Sequence, residues 1–392
     1  MRTKVKLKGG ISLIVLVITI IVMIILAAAI ILSLSNSGII SKANKAKTDS
    51  DTANLKEYVN TLRAEWELMT AEEQEAKGSF EAYANEKLAA NGYKGAVGTD
   101  GEVYSNLNEN AMAAIKAGIK VGDVVTGYTV TANTYETSGE ENTAPSRTET
   151  DPTKQTVTTN TDITWKYLGV NANGELEIMA DFGEAVAVAN TKVKLSGKGG
   201  YLKGPDMLNK VCENLYSVEG KGTARNMNID DVNNILGYTG EKGAYYDSAN
   251  GSYTPTKEAM KIGDIVSQKG ESALSNTATP DGRDINTYYS DYYTINKTND
   301  VKDMKNPGNR DLVYNAKNTY WLASPCVYAE FVNSFAYFRV RYVYSAYAGA
   351  NDIFYSAGNS YFNACAVRPI VTLNSNVTLT KDTTAENTWK IN

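Results

Sequence analysis

Tyr320-Trp321-Leu322-Ala323-Ser324-Pro325 and Val367-Arg368-Pro369-Ile370-Val371 bracket a segment, 328–366, that reads YAEFVNSFAYFRVRYVYSAYAGANDIFYSAGNSYFNACA. Its 39 residues include seven Tyr, five Phe, four Asn, four Ser and eight Ala, and no Lys, Pro, Leu, Trp, Thr or Gln. Aliphatic residues are too few for an ordinary core, and aromatics too dense for a solvated loop. Tyr, Ser, Asn, Gly and Ala are the residues that binding surfaces use, rigid aromatic anchors beside small adaptable polar groups. The segment therefore reads as a ligand-binding surface between two framework strands, Trp321–Ser324 and the alternating Val367–Leu373. Within it, Tyr337-Phe338-Arg339-Val340-Arg341-Tyr342-Val343-Tyr344 alternates, so one face of that strand can be buried. The loops on either side, Phe331–Phe335 and Tyr347–Asn363, are the sharper binding candidates. Twelve aromatics in 39 residues cannot all face inward, and those left outside form a patch of the size that normally has a partner.

Composition narrows the chemistry. The 392 residues allow two or three domains. There are 39 basic and 44 acidic residues and no His. No Lys/Arg cluster marks a nucleic-acid face, and without His there is no His-based triad, general base or zinc ligand. Three cysteines, Cys212, Cys326 and Cys365, show no CxxC spacing. Cys326 and Cys365 pair if the two brackets meet; otherwise all three are thiols.

At the N-terminus a basic leader, Met1–Gly10, precedes Ile11–Leu34, whose polar side chains are Ser12, Thr19 and Ser33. As a helix it would measure about 36 Å, enough for a transmembrane helix, with the leader cytoplasmic and the remainder exported. A cleaved secretory signal, with Ala27–Ala29 as its site, and a plain anchor are both open readings.

Further along, Leu55, Tyr58, Val59, Leu62, Trp66 and Met69 fall at helical spacing, and Thr70 to Glu73 reads as a capping box. A second helix carries Phe80, Tyr83, Ala84, Lys87 and Leu88 and ends at Gly92. A third runs from Asn110 to Ala117. Strands are expected from Val121 to Val125, at 164–170 and at 175–179, the last two joined by an Asn173-Gly174 turn. The Thr-rich segment 131–161 reads as an exposed, mobile insertion. Two helices follow, Pro205 to Tyr216 and Asn228 to Leu236, linked by Ala224–Met227. Long loops then carry a short strand at 263–266.

Three resemblances organise these readings. The leader ending in Gly10, followed by Ile11-Ser12-Leu13-Ile14 and a long apolar helix, resembles the N-terminus of type IV prepilins. That implies processing between Gly10 and Ile11 and a helical stalk, or pilin-like region, over 35–118. Val15 departs from the family, which usually has Glu there, and this puts filament assembly in doubt. The order of strands, two helices, long loops and closing strands resembles the C-type lectin fold in the version shared with formylglycine-generating enzymes. Its anchors are Trp165–Leu168, Ala224–Asp230, Trp321–Ser324 and Val367–Leu373. The fold class this implies is α+β: a long N-terminal transmembrane and stalk helix, then a head over 120–392 with a small twisted sheet, two helices and long loops.

The composition of 328–366 resembles the variable region of proteins diversified by diversity-generating retroelements, in which Asn codons are randomised. That resemblance implies ligand contacts from Phe331, Asn333, Phe335, Tyr337, Tyr342, Tyr344, Tyr347, Asn351, Asp352, Phe354, Tyr355, Asn359, Tyr361, Phe362 and Asn363. Glu330, Arg339 and Arg341 stand outside the pattern or belong to the frame.

The expectation is an adhesin-like, non-enzymatic protein on a bacterial surface, membrane-anchored through 11–34 or pilus-associated. Its ligand would be a protein or glycan on another cell or a phage. No cofactor, metal or nucleic acid is called for. The alternative is a structural minor pilin whose aromatic stretch packs on neighbouring subunits. A third class, an exported enzyme using Cys326 and Cys365, lacks an acid–base partner.

Overall fold

The computed structural model describes residues 39–99, 101–139, 151–182, 191–240, 244–247, 252–255, 292–314, 319–330, 335–355 and 362–392. The chain divides into two units, Met1–Asp51 and Thr52–Asn392. Of the first, only the beginning of helix α1 (Ile39–Glu67) is described. From Thr52 onward this helix buries Leu55, Val59 and Leu62 with Phe80, Tyr83, Ala84 and Leu88. These partners come from α3 (Phe80–Ala90), which follows the short α2 (Ala71–Lys77). The Thr70 capping box is present in both directions: Glu73 N donates to Thr70 Oγ1 at 3.3 Å, and Thr70 N donates to Glu73 Oε2 at 2.8 Å. A two-stranded ladder, β1 (Gly95–Val97) with β2 (Val103–Ser105), leads into α4 (Glu109–Lys116). Asn108 caps α4 by accepting from Ala111 N at 2.7 Å.

Thereafter the chain is mostly strand. In order come β3 (Val124–Thr126), β4 (Thr134–Glu136), β5 (Thr156–Thr158), β6 (Ile163–Val170), β7 (Leu176–Phe182) and β8 (Lys192–Ser196). Helices α5 (Gly197–Leu202) and α6 (Gly204–Tyr216), strand β9 (Gly222–Asn226) and helix α7 (Ile229–Leu236) follow. A hairpin of β10 (Ala244–Asp247) and β11 (Ser252–Pro255), then β12 (Ile295–Asn296) and α8 (Arg310–Val313), precede the bracketed stretch. That stretch supplies β13 (Tyr320–Glu330), β14 (Phe335–Tyr344), β15 (Tyr347–Tyr355), β16 (Phe362–Ala366) and β17 (Pro369–Leu373). Strands β18 (Leu379–Lys381) and β19 (Thr388–Ile391) finish the described order.

Two sheets dominate. One has six strands in the order β12-β15-β14-β13-β16-β8, the other seven in the order β18-β19-β3-β6-β7-β17-β9. Between β16 and β17 the chain passes from the first to the second. Asn226, 1% exposed, ties them together. From β9 its Nδ2 donates to Trp321 O of β13 at 2.8 Å, and its Oδ1 accepts from Arg368 N at 2.8 Å. The main core gathers Trp165, Tyr167 and Ile178 of the larger sheet, Leu208 and Val211 of α6, and Trp321, Phe338, Val340 and Phe354 of the smaller. A second core joins Val232 and Leu236 of α7 to Tyr293, Ile295, Tyr320, Leu322, Val343 and Ile370.

The expected fold class is overturned. Instead of a small twisted sheet with two helices and long loops, the structure is a mixed helix–sheet protein with sheets of six and seven strands. Segments read as connections are strands. Ala224–Met227 lies largely in β9, where Gly222 lets the backbone close on β17: a Cβ at Gly222 would meet Thr372 O at 2.6 Å. The loop expected from Tyr347 begins with the nine residues of β15. Of the expected long transmembrane and stalk helix, the described residues show only α1. Among the described residues no helix is long and apolar enough to cross a membrane, and α1 carries ten charged side chains. The predicted span 11–34, the leader and the Gly10–Ile11 processing site lie outside the described residues, as does the expected strand at 263–266. The ends of the Thr-rich segment are ordered: β4 and β5 pair antiparallel, and Val157 is buried in the main core.

Candidate functional site

The bracketed stretch forms the middle of the six-stranded sheet, so register decides which of its residues share a face. Tyr328, Tyr337 and Tyr355 stand opposite one another across β13, β14 and β15. The next row holds Cys326, Arg339 and Asp352, and a bulge between Phe338 and Arg339 sets Asp352 against Arg339. The row of Val327, Phe338 and Phe354 belongs to the opposite, core face.

Two arrangements result. On the outer face, Arg339 Nε donates to Asp352 Oδ1 at 2.5 Å. The guanidinium carbon lies 4.7 Å from the Tyr292 ring centre and 5.2 Å from that of Tyr337. Its side chain is 14% exposed and that of Asp352 30%, so water only partly screens the pair. Two strand positions along, buried Arg341 lies 4.3 Å over the Tyr293 ring and donates to Tyr293 O at 3.1 Å. Cation–π contacts strengthen as they are desolvated, and here they fasten the segment at 292–293 to β14. The arginines read from the sequence as standing outside the pattern or belonging to the frame are thus the fasteners of this face. The signal available was the Arg-Val-Arg alternation, which puts both on one side of a strand.

At the other end, Tyr342, Tyr344 and Tyr347 cluster around the β14–β15 turn. The Tyr342 and Tyr347 hydroxyls lie 2.5 Å apart, and Tyr347 is 5.9 Å by ring centre from each of the other two. Tyr344 is 49% exposed. Tyr342 turns its ring edge to Trp321 at 6.5 Å, and burial pushes its hydroxyl well above the ordinary tyrosine value.

The candidates therefore divide. Tyr337, Tyr344, Tyr347, Asn351, Asp352 and Asn363 are exposed or half-buried. Asn363 Nδ2 donates to Asp352 O at 3.0 Å, joining β16 to β15. Tyr342 lies at the edge of the core, at 9% exposure. Phe354, at 1%, is a core residue packed 5.9 Å from Phe338. Phe335, Tyr355 and Phe362 hold strand positions. Phe331, Asn333, Asn359 and Tyr361 lie outside the described residues.

Cys212, Cys326 and Cys365 are all free thiols and all buried. The Cys326–Cys365 bond left open by the sequence is not formed. Burial pushes the Cys365 thiol up to about 12 and raises that of Cys212. Among the described residues no group of three metal-ligating side chains is present. No protein family, characterised protein or solved structure matches the chain.

Proposed function

We propose that the protein is an adhesin-like binding protein of a bacterial surface. Its 328–366 segment presents the ligand-contacting side chains, and its ligand is a protein or glycan carried by another cell or a phage. The observation that supports this most directly is the tyrosine cluster at the β14–β15 turn. Tyr344 is one of three large hydrophobic side chains exposed among the described residues, and it adjoins Tyr347, whose hydroxyl lies 2.5 Å from that of Tyr342. Tyrosine gives contact area at low entropic cost and a hydroxyl for a partner. The core-facing half of the segment, Phe338, Val340 and Phe354, supplies the platform. Residues 328–366 are in this reading a diversified region, in which exposed strand and loop positions change while the core row is kept.

The test is the full chain with Tyr337, Tyr344 and Tyr347 all changed to Ser. Adhesion of beads coated with either protein to panels of bacteria and phage is compared, with urea unfolding alongside. Loss of adhesion at an unchanged unfolding midpoint is the expected result. If the variant unfolds instead, those tyrosines are packing residues and the reading fails. A near-identical template copy of the 328–366 coding sequence beside a reverse-transcriptase gene is the expected mark of diversification.

A further inference from the structure

One face of the seven-stranded sheet turns polar beyond the reach of α7. The helix packs on the row of Met179 and Ile370. The next row on that face sets Thr372 between Glu177 of β7 and Thr223 of β9. The alternate residues Ile178 and Val371 belong to the main core on the other side. Thr372 and Thr223 line a cavity of about 540 Å³, together with Glu175 and the loop residues Asn374, Ser375 and Asn376.

The lining is held in place by the fold itself. Asn171 Nδ2 donates to Glu175 Oε2 at 3.0 Å, and the Thr372 hydroxyl donates to Glu177 Oε1 at 3.2 Å. Asn374 N donates to Lys221 O at 2.9 Å. From α4, Asn110 Nδ2 donates to Ser375 O at 2.6 Å and to Val377 O at 2.9 Å. Among the described residues, Glu175 Oε1, the Thr223 and Ser375 hydroxyls and the Asn374 side-chain amide have no hydrogen-bond partner.

The charge of the lining is that of Glu175 alone. No surplus cation stands behind it, because Glu177 and Asp231 share the one guanidinium of Arg225. The Lys221 ammonium is turned away, donating to Gly127 O at 2.8 Å. The complement is therefore a cation that donates hydrogen bonds. A guanidinium fits poorly: its planar fork takes both oxygens of a carboxylate, and Asn171 already holds one of these. A calcium ion takes six to eight oxygens and is held largely by carboxylates, of which the cavity offers one. An ammonium is a point charge with three donors, which one carboxylate oxygen and neighbouring hydroxyl and amide oxygens satisfy. We propose that this cavity binds a primary ammonium group on an alkyl chain, carried by a peptide lysine or by a free amine. The ammonium donates to Glu175 Oε1, with Thr223 and Asn374 as its further acceptors. The site does not rest on the reading of the tyrosine face.

The test titrates the full chain with Nα-acetyl-lysine methylamide and with 1,4-diaminobutane at constant ionic strength, followed by saturation-transfer NMR and calorimetry in the millimolar range. Saturable binding of at least one probe is expected, and the tighter of the two tells a peptide source from a free amine. Glu175→Gln keeps an acceptor for Asn171 and should weaken binding about ten-fold, as befits loss of a charged hydrogen-bond partner. Thr223→Val, at an exposed position, should weaken it about three-fold in a chain of unchanged circular dichroism. Tyr344→Ser should leave it unaltered, which separates this site from the tyrosine face. Absence of saturable binding of both probes overturns the proposal, and so does binding indifferent to both cavity substitutions. Equal binding of tetramethylammonium, which donates no hydrogen bond, also overturns it. Calcium binding that depends on Glu175, without amine binding, would make the cavity a metal site instead.

Discussion

Arg225 is held by two carboxylates: Asp231, at 2.6 and 2.8 Å, and Glu177, at 3.2 Å. The two acids differ in what burial does to them. Desolvation raises the Glu177 carboxyl above its ordinary value of 4.5, with Asp231 adding to the rise, against the downward pull of Arg225 and Thr372. The folded protein therefore keeps this proton to higher pH than the unfolded chain does. Where the native state binds more protons, stability falls as pH rises. Stability should thus decline from pH 4.5 upward through the raised value as Glu177 ionises. Glu177→Gln should remove that part of the decline, read as the difference between the urea midpoints of the two proteins across the interval. Asp231 keeps Arg225 paired in the variant, so the guanidinium is not stranded. Parallel curves for the two proteins would contradict the assignment. None of this was visible in the sequence, because Glu177, Arg225 and Asp231 meet only once β7, β9 and α7 are side by side.

Elements whose signals are local were legible. The Thr70 box, the Pro205 start of α6 and the reach of α7 from Asn228 to its end before Gly237 all stand on residues within a few positions of what they control. Gly237 takes the left-handed conformation, φ 58°, that such an ending calls for. Strand β15 was not legible. Gly349, Asn351 and Asp352 are poor strand formers, and their conformation comes from pairing with β14, whose own alternation was readable. Strand β5 was missed for a different reason: Thr156-Val157-Thr158 is locally a good strand former, but it lies in a segment too poor in apolar residues to signal the buried position it takes among its neighbours. The segment around β5 has a further role. Gln155 Oε1 accepts from Lys194 N at 2.8 Å, and its Nε2 donates to Lys194 O at 2.9 Å. One side chain thereby occupies the backbone groups that another strand would use on β8, the outer strand of its sheet. Exposed Lys192 and Lys194 add charge to the same edge. Open edges invite pairing with other chains. Gln155→Ala should therefore promote self-association, seen as a concentration-dependent rise in sedimentation coefficient. A variant that sediments like the parent at all concentrations would show that the edge is protected by other means.

At the scale of the whole molecule, the unit boundary at Asp51 makes a clean prediction. A chain starting at Thr52 retains Leu55, Val59 and Leu62, and with them the core shared by α1 and α3. It should match the full chain in urea midpoint to within about 0.5 kcal/mol of stability. A chain starting after Glu67 lacks Leu55, Val59 and Leu62, three of the eight buried residues of that core, and should lose the ordered helical region. The candidate face was legible as composition and not as shape. Tyr-, Phe- and Asn-rich sequence marks the segment, but only the folded sheet shows Tyr344 exposed at the β14–β15 turn and Phe354 buried. The seven-stranded sheet places a clock on the chain. Strand β3 at Val124 lies beside β19 at Thr388, and β9 has no sheet neighbour until β17 arrives at Pro369. At roughly 5–20 residues per second of synthesis, β3 waits on the order of 10–50 s for its parallel partner. For that interval the growing chain holds an unfinished sheet, and the segment 328–366 is made before the strand that locks its platform in place. If 328–366 is diversified as proposed, each version of it would be screened during synthesis by whether the platform still closes when β17 and β19 emerge.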